Sequence, residues 1–505
     1  MYTVPALLRL RNTRRNVRFM CHSKCLRLLL TVWVGCVTID ILPDDALLLI
    51  FHFDRLIYLE DYHRLYLPIP PWKWQRLVHV CRRWRFVVFV SPNFLDLKLS
   101  CGLSARMELT SIWPPLPIVI TDILNMFTYG FDTLKAYHDR ICEINLFDLT
   151  SLQLQQLASA MQVQFPALIH LRLQFYDLGP APVLPDGFLS GSIPHLRSLK
   201  LHSIGFPGLP KLLLSVTHLV NLTLLNIPDS GYFSPETMVT NLAVLANLKS
   251  LVIEFAFSSS LDPGNRRPPL TTRTSLPALS RFEFQGDSEF LEDIVARIDV
   301  SLLDSIRITF LHELRSDIPQ LARFMRRTTR FQELNETHVD LYFDPELYYW
   351  GIQVGSLPPI RTADDKSKLR IICDDSDGLP SSLAQVCTSF FPSIDMVEHL
   401  HFHGLPLEWN YDAEHNLPWL EILHPFTGVK NLYLSQKFAP FIAYSLQNLV
   451  EERVADVADV LPALEYLYLE DLHTSGPVQH AFGKFVAARQ LSGHPVAISH
   501  WKRED

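Results

Sequence analysis

The chain has 505 residues, 48% hydrophobic and 19% charged, with 53 acids against 45 lysines and arginines for a formal net charge of −8. Length alone suggests about three domains; the composition excludes a disordered or collagen-like chain, and the acidic balance argues against a nucleic-acid surface, which needs a positive field. Leucine is in surplus at 83 residues, while the 19 glycines are outnumbered by 35 prolines, a shortage that argues against glycine-rich phosphate-binding folds.

The first stretch is basic. Arg9, Arg11, Arg14, Arg15, Arg18, Lys24 and Arg27 precede the first acid, Asp40. The longest uncharged apolar run, Leu28–Ile39, is twelve residues, short of the ~17–25 that span a bilayer. Val34-Gly35-Cys36-Val37 offers no small-x-small cleavage site. Residues 1–36 read as a basic, disordered arm, with a targeting or anchoring role as the alternative. Cys21, His22 and Cys25 make half a zinc site at most, because no second pair follows. The eight cysteines are scattered without a Cys-x-x-Cys pair, the pattern of reduced thiols in a cytoplasmic or nuclear protein.

Leu42-Pro43-Asp44-Asp45 is a helix-start signal: proline at the first helical position loses no needed N–H, and the two acids sit against the positive end of the helix dipole. Leu47, Ile50 and Phe51 then share one face. A second helix is expected from Trp74 to about Phe89, with Trp74, Leu77, Cys81, Trp84 and Val88 on one face and Ser91-Pro92 ending it.

Three strings in this stretch, Leu42-Pro43-Asp44, Leu47-Leu48-Leu49-Ile50-Phe51 and Val80-Cys81-Arg82-Arg83-Trp84-Arg85, resemble an F-box. The likeness extends to divergent F-box-like proteins of higher fungi, which share Trp113–Ile120. In that family the helical module docks on a Skp-type adaptor and through it joins a cullin ubiquitin ligase. The resemblance implies that Leu42, Pro43, Leu47, Ile50 and Phe51 supply adaptor contact, with Leu77, Val80, Cys81 and Trp84 divided between interface and core. One departure is the connection Asp54–Lys73, longer than a compact F-box carries.

Beyond residue 96 a short register recurs: an apolar residue followed by others at +3 and +5. It begins at Ile141/Ile144/Leu146 and runs through Leu168/Leu171/Leu173, Leu196/Leu199/Leu201, Leu219/Leu222/Leu224, Leu248/Leu251/Ile253, Leu279/Phe282/Phe284 and Leu303/Ile306/Ile308. After a less regular stretch it returns at Val397/Leu400/Phe402, Val429/Leu432/Leu434 and Leu464/Leu467/Leu469. Several copies open with a proline lead-in such as Phe165-Pro166-Ala167-Leu168. The +2 spacing of each final pair matches one face of a strand, and amphipathic helices are expected between copies, at Leu152–Val163, Glu236–Leu245, Glu289–Val300, Ile318–Arg327, Ser382–Phe391 and Phe441–Val460. The pattern resembles a degenerate leucine-rich repeat of the helix-containing type.

The expected fold is therefore an α/β leucine-rich-repeat solenoid, a horseshoe, preceded by a small all-α F-box-like module. Residues 37–95 form the module, 96–139 a connecting segment and 140–505 the solenoid, with loops at Leu261–Thr274 and Leu357–Ser367. By that resemblance partner recognition falls on the concave face. The register assigns to it His170, Arg172, Lys200, His202, Glu254, Arg281, Glu283 and Arg307, then His399, His401, His403, Tyr433, Tyr466, Tyr468 and Glu470. Mixed charge, imidazole and tyrosine suit a protein interface. His399, His401 and His403 alternate on one strand, where neighbours could share an ion but the end members lie roughly 13 Å apart; with no acidic or cysteine partner evident, they read as a polar recognition strip.

Catalytic motifs are missing: there is no Gly-x-Gly-x-x-Gly, phosphate-loop Gly-Lys-Ser/Thr, His-Glu-x-x-His or Gly-x-Ser-x-Gly. Asp374–Gly378 resembles a calcium loop, but Cys373 and Ala384 occupy ligand positions. No cofactor or metal is expected. The sequence thus points to a non-catalytic substrate-recognition subunit of a Skp–cullin ubiquitin ligase holding an unknown protein substrate. The alternative is an interaction scaffold with a vestigial F-box.

Overall fold

The computed structural model describes residues 42–53, 77–91, 94–101, 116–122, 131–176, 179–191, 193–256, 273–311, 318–328, 337–344, 349–355, 369–373, 397–404, 419–452, 457–470 and 476–501. The arm over 1–36, the connection Asp54–Lys73, the expected helix Ser382–Phe391 and the loop Leu357–Ser367 lie outside these residues, as do Asp374–Gly378 and nearly all of Leu261–Thr274. The chain divides into two compact units, Met1–Leu99 and Ser100–Asp505.

In the smaller unit, helix α1 occupies 44–53 and α2 Arg82–Val90. The single helix expected from Trp74 to Phe89 is broken. Cys81 is extended (φ −156°, ψ 171°) and caps α2, its Sγ accepting the Trp84 N–H at 3.4 Å.

The larger unit is built on parallel strands: β1 Ile118–Asp122, β2 Ile141–Leu149, β3 His170–Phe175, β4 Ser198–His202, β5 Asn221–Ile227, β6 Ser250–Phe255, β7 Arg281–Gly286 and β8 Ser305–Phe310. Their apolar pairs lie in register. Leu171, Leu199, Leu222, Leu251, Phe282 and Ile306 form one rung, and Leu173, Leu201, Leu224, Ile253, Phe284 and Ile308 the next. All twelve are buried, each contributing roughly 1.5–3 kcal/mol by leaving water. The proline lead-in is a turn that delivers the chain to the strand. Leu168 N–H donates to the Phe165 carbonyl at 3.1 Å, Leu196 to Ile193 at 3.3 Å and Leu279 to Leu276 at 3.3 Å, each across a proline whose fixed φ suits the second position of such a turn.

The expectation of a leucine-rich-repeat solenoid behind an all-α module is corrected here: the structure is a mixed α/β sheet-and-helix fold. Three further strands follow β8, namely β9 Thr337–Asp344, β10 Tyr349–Gly355 and β11 Leu369–Cys373. In the sheet β11 lies beside β8, β10 is antiparallel to both β11 and β9, and β9 then pairs in parallel with β12, Val397–Gly404. Nine parallel strands therefore give way to an antiparallel passage, which tandem copies of one strand–turn–helix unit do not produce. The leucine register does not mark these strands: in β9 the pair Val339/Leu341 has Glu336 where the leading apolar residue would stand, and β10 carries no leucine. The parallel order resumes through β13 Asn431–Leu434, β14 Tyr466–Glu470 and β15 Ala497–Trp501. The expected connecting segment 96–139 itself supplies β1, and the stretch after α2 runs into a short strand, Leu99–Cys101, so helices alone do not make up the N-terminal region.

Helices fill the crossovers: α3 Ser151–Ala160, α4 Pro235–Leu242, α5 Ser288–Arg297, α6 Pro319–Arg327, α7 Ala439–Glu452 and α8 Pro477–Leu491. Connections between parallel strands in chain order are right-handed as a rule, which puts α3, α4, α5, α7 and α8 on one face of the sheet, and α6 packs beside α5. Their ends are explained locally. Thr150 and Gln153 form a capping box on α3, and Ser234 caps α4 ahead of its Pro235. Glu292 of α5 accepts the free N–H groups of Gln320 and Leu321 at 2.9 and 2.7 Å, capping α6 from the neighbouring helix. Arg489 of α8 is fully buried, its guanidinium spread over the carbonyls of Val457, Ala458, Leu461, Pro462 and Leu464 at 3.2–3.5 Å.

Candidate functional site

In the smaller unit the three motif strings join two helices. The Leu47 N–H donates to the Pro43 carbonyl at 3.1 Å, starting α1. Arg83 bonds Asp44 through Nε at 2.9 Å and Nη2 at 2.7 Å, and its Nη2 also reaches the Leu42 carbonyl. The Phe51 and Trp84 rings meet at 4.7 Å, and Arg85 Nε donates to the Val78 carbonyl at 3.0 Å.

Burial divides the residues that the resemblance assigned to adaptor contact. Leu47 (0% exposed) and Phe51 (3%) are buried in the core of the unit. Leu42, Ile50, Leu77, Cys81 and Trp84 are half-buried, Pro43 is exposed and Val80 is 58% exposed. Four apolar residues that the motif reading passed over are also exposed: Leu49 and Phe53 on α1, Phe86 and Val90 on α2. Each pair is spaced i, i+4, so each helix carries an apolar stripe on its solvent side. The spacing was readable, but two candidate stripes ran along α1, and only the fold shows which one is buried.

In the larger unit the strand face turned away from the helices carries the register-assigned residues. Along one row Asn145, Arg172, Lys200, Thr223, Val252, Glu283 and Arg307 occupy successive strands. The row is electrically divided. At β7 the buried Glu283 carboxylate receives Arg281 at 2.7 Å, with Arg307 at 3.9 Å. Burial, and then the charge of Glu283, push the Glu254 carboxyl above its usual range.

At β3 and β4 the opposite holds. Arg172 and Lys200 are directly opposed across neighbouring strands. The Arg172 Cζ lies 4.3 Å from the Phe147 ring centroid, and its Nε is buried without a hydrogen-bond partner among the described residues. Burial lowers the pKa of Arg172. Burial first, then the Arg172 charge, lowers that of Lys200, with Glu254 and Glu283 pulling the other way. His202 lies one alternation along β4 from Lys200, and its pKa falls through burial and then the Lys200 charge. His170 is exposed at the start of β3.

The second half of the face is aromatic. His401, Tyr433 and Tyr468 are in register on β12, β13 and β14. Their rings stack in series, with centroids 4.1 Å apart at 3° and then 4.5 Å apart at 7°. Trp501 of β15 stands edge-on to Tyr433 at 5.6 Å. His399 is at 6.1 Å from Tyr433, and Tyr466 at 6.0 Å from Tyr468. The Glu470 carboxylate accepts the Gln436 N–H at 3.3 Å. His403 pairs with Tyr342 in the β9–β12 ladder; its side chain lies outside what is described. Trp501 and Phe147 were not foreseen, Trp501 because Ala-Ile-Ser-His-Trp lacks the leucine register. Among the described residues no group of three or more His, Cys, Asp or Glu side chains is arranged to hold a metal ion, and no helix is long and apolar enough to cross a membrane.

Compared with known proteins, the chain matches no protein-family model and no curated protein.

Proposed function

We propose that the protein is a non-catalytic, substrate-receiving subunit of a Skp-type adaptor and cullin ubiquitin ligase. On this reading the smaller unit holds the adaptor, and the strand face of the larger unit holds a protein to be modified. The observation that carries it is the outward apolar set Leu49 and Phe53 on α1, Phe86 and Val90 on α2, and Val80 in the turn that leads into α2, 40–63% exposed, on a unit that bears the F-box-like strings. Solvent-facing apolar stripes on two adjoining helices of one small unit suit a partner. The polar and aromatic strand face suits a protein substrate better than a small molecule. Such a subunit would act in the cytoplasm or nucleus.

The test is co-purification of the full chain with a Skp-type adaptor. Wild type retains it, and Val80→Asp and Phe86→Asp each lose it while keeping the wild-type circular dichroism. An adaptor that never binds, or that binds both variants as it binds wild type, would leave the scaffold reading in its place.

A further inference from the structure

We infer that Arg172, Lys200 and His202 form a receiving site for an anionic group, a carboxylate or a phosphate, carried by a peptide. The inference deepens the substrate-receiving reading and rests on it.

Strands in a sheet lie about 4.8 Å apart, and like charges directly opposed across them are unfavourable. Arg172 and Lys200 are so opposed. Elsewhere on the same face the fold neutralises its cations, as Glu283 does between Arg281 and Arg307. Near Arg172 no acid does so among the described residues. The in-register neighbours beyond the pair are Asn145 and Thr223, uncharged side chains able to donate hydrogen bonds to an oxyanion. The nearest acid on the adjoining strand, Glu143, pairs in register with His170, one alternation away. Glu254 lies two strands from Lys200.

Packing fixes Arg172 in place. Its guanidinium rests on Phe147, with Nε buried and without a hydrogen-bond partner among the described residues. A planar guanidinium held in this way is prepared for the paired oxygens of a carboxylate or phosphate. Both Asp148, which follows Phe147, and Ser203, which follows His202, have left-handed backbone (φ 52° and 57°), and the Ser203 hydroxyl accepts from Asn226 at 2.7 Å. The strand ends bordering the site are thereby set by local backbone geometry. Leu225, in register with His202, offers an apolar neighbour to a residue flanking the anion. A peptide suits the site better than nucleic acid, because the cations are few and the chain as a whole carries −8.

The test uses the full chain and four fluorescent probes: hexaglutamate, a glycine–serine peptide with one phosphoserine, hexaglutamine and a short oligothymidylate. Adaptor binding is measured on the same preparations. At least one anionic peptide is expected to bind, about tenfold or more tighter than hexaglutamine. Comparing hexaglutamate with the phosphoserine peptide tells carboxylate from phosphate. Arg172→Gln with Lys200→Gln should abolish binding, and Lys200→Met, which keeps the packed stem, should weaken it at unchanged melting temperature. Lys211→Gln, on the helical side, should leave it unchanged. No anionic peptide binding, binding that survives the double variant, or tighter binding of oligothymidylate than of either anionic peptide overturns the inference. Adaptor binding without peptide binding removes this inference alone, whereas peptide binding without adaptor binding removes the ligase reading alone.

Discussion

Phe51 of α1 and Trp84 of α2 pack ring against ring at 4.7 Å, tilted by 58°. Their contact joins the second and last strings of the F-box-like pattern, so these residues build the unit before any partner is present. Leu47, wholly buried on the same face of α1, belongs with them.

Core and surface should separate on mutation. Phe51→Ala removes a ring that is 3% exposed and should cost about 3–5 kcal/mol. Its signature is faster amide exchange over 44–53 and 82–90. Val80→Asp, at a 58% exposed position, should leave that exchange unchanged, within about 0.5 kcal/mol.

Among the described residues Arg489 meets no carboxylate and serves five backbone carbonyls around 457–464. Arg489→Met keeps the volume and strands those carbonyls, at a cost of at least about 2 kcal/mol. Denaturant unfolding, with exchange localised to 457–470 and α8, measures it. Arg489→Lys should recover only part of the loss, since one ammonium cannot span the set.

Glu254 gives a pH signature. Its folded pKa is raised, chiefly by burial and then by Glu283, so between the ordinary carboxylate range and that raised value the folded protein binds more protons than the unfolded chain. Stability then falls as pH rises through this window. Glu254→Gln should flatten the fall and raise the melting temperature at neutral pH; an unchanged pH profile would contradict the assignment.

His202 works in the opposite sense. Its pKa is lowered by burial and Lys200, with Arg172 adding to the effect and a hydrogen bond at the Phe175 backbone opposing it. The folded protein therefore loses stability as pH falls below the ordinary histidine range. A bound anion favours the protonated ring, so anionic peptide affinity should rise as pH falls, and His202→Gln should remove that rise.

The leucine register was legible in the sequence because each apolar pair is spaced by two and preceded by a turn, and the strands stand where it ran. What followed β8 was not. Tyr349–Gly355 carries no leucine, and nothing local tells an antiparallel neighbour from a parallel one, so the sequence predicted a single solenoid with a less regular stretch where the sheet is mixed. The smaller unit shows the same limit: Leu47/Phe51 and Leu49/Phe53 are both i, i+4 apolar pairs, and only tertiary packing decides which faces solvent. Cys81 read as one step along a helix, whereas its thiol begins one.

The most direct measurement is hydrogen–deuterium exchange of the full chain with and without a Skp-type adaptor. Slowed exchange is expected within 44–53 and 80–90, with none along β3, β4, β12, β13 and β14. Protection confined to those strands, or protection nowhere, would contradict the ligase reading.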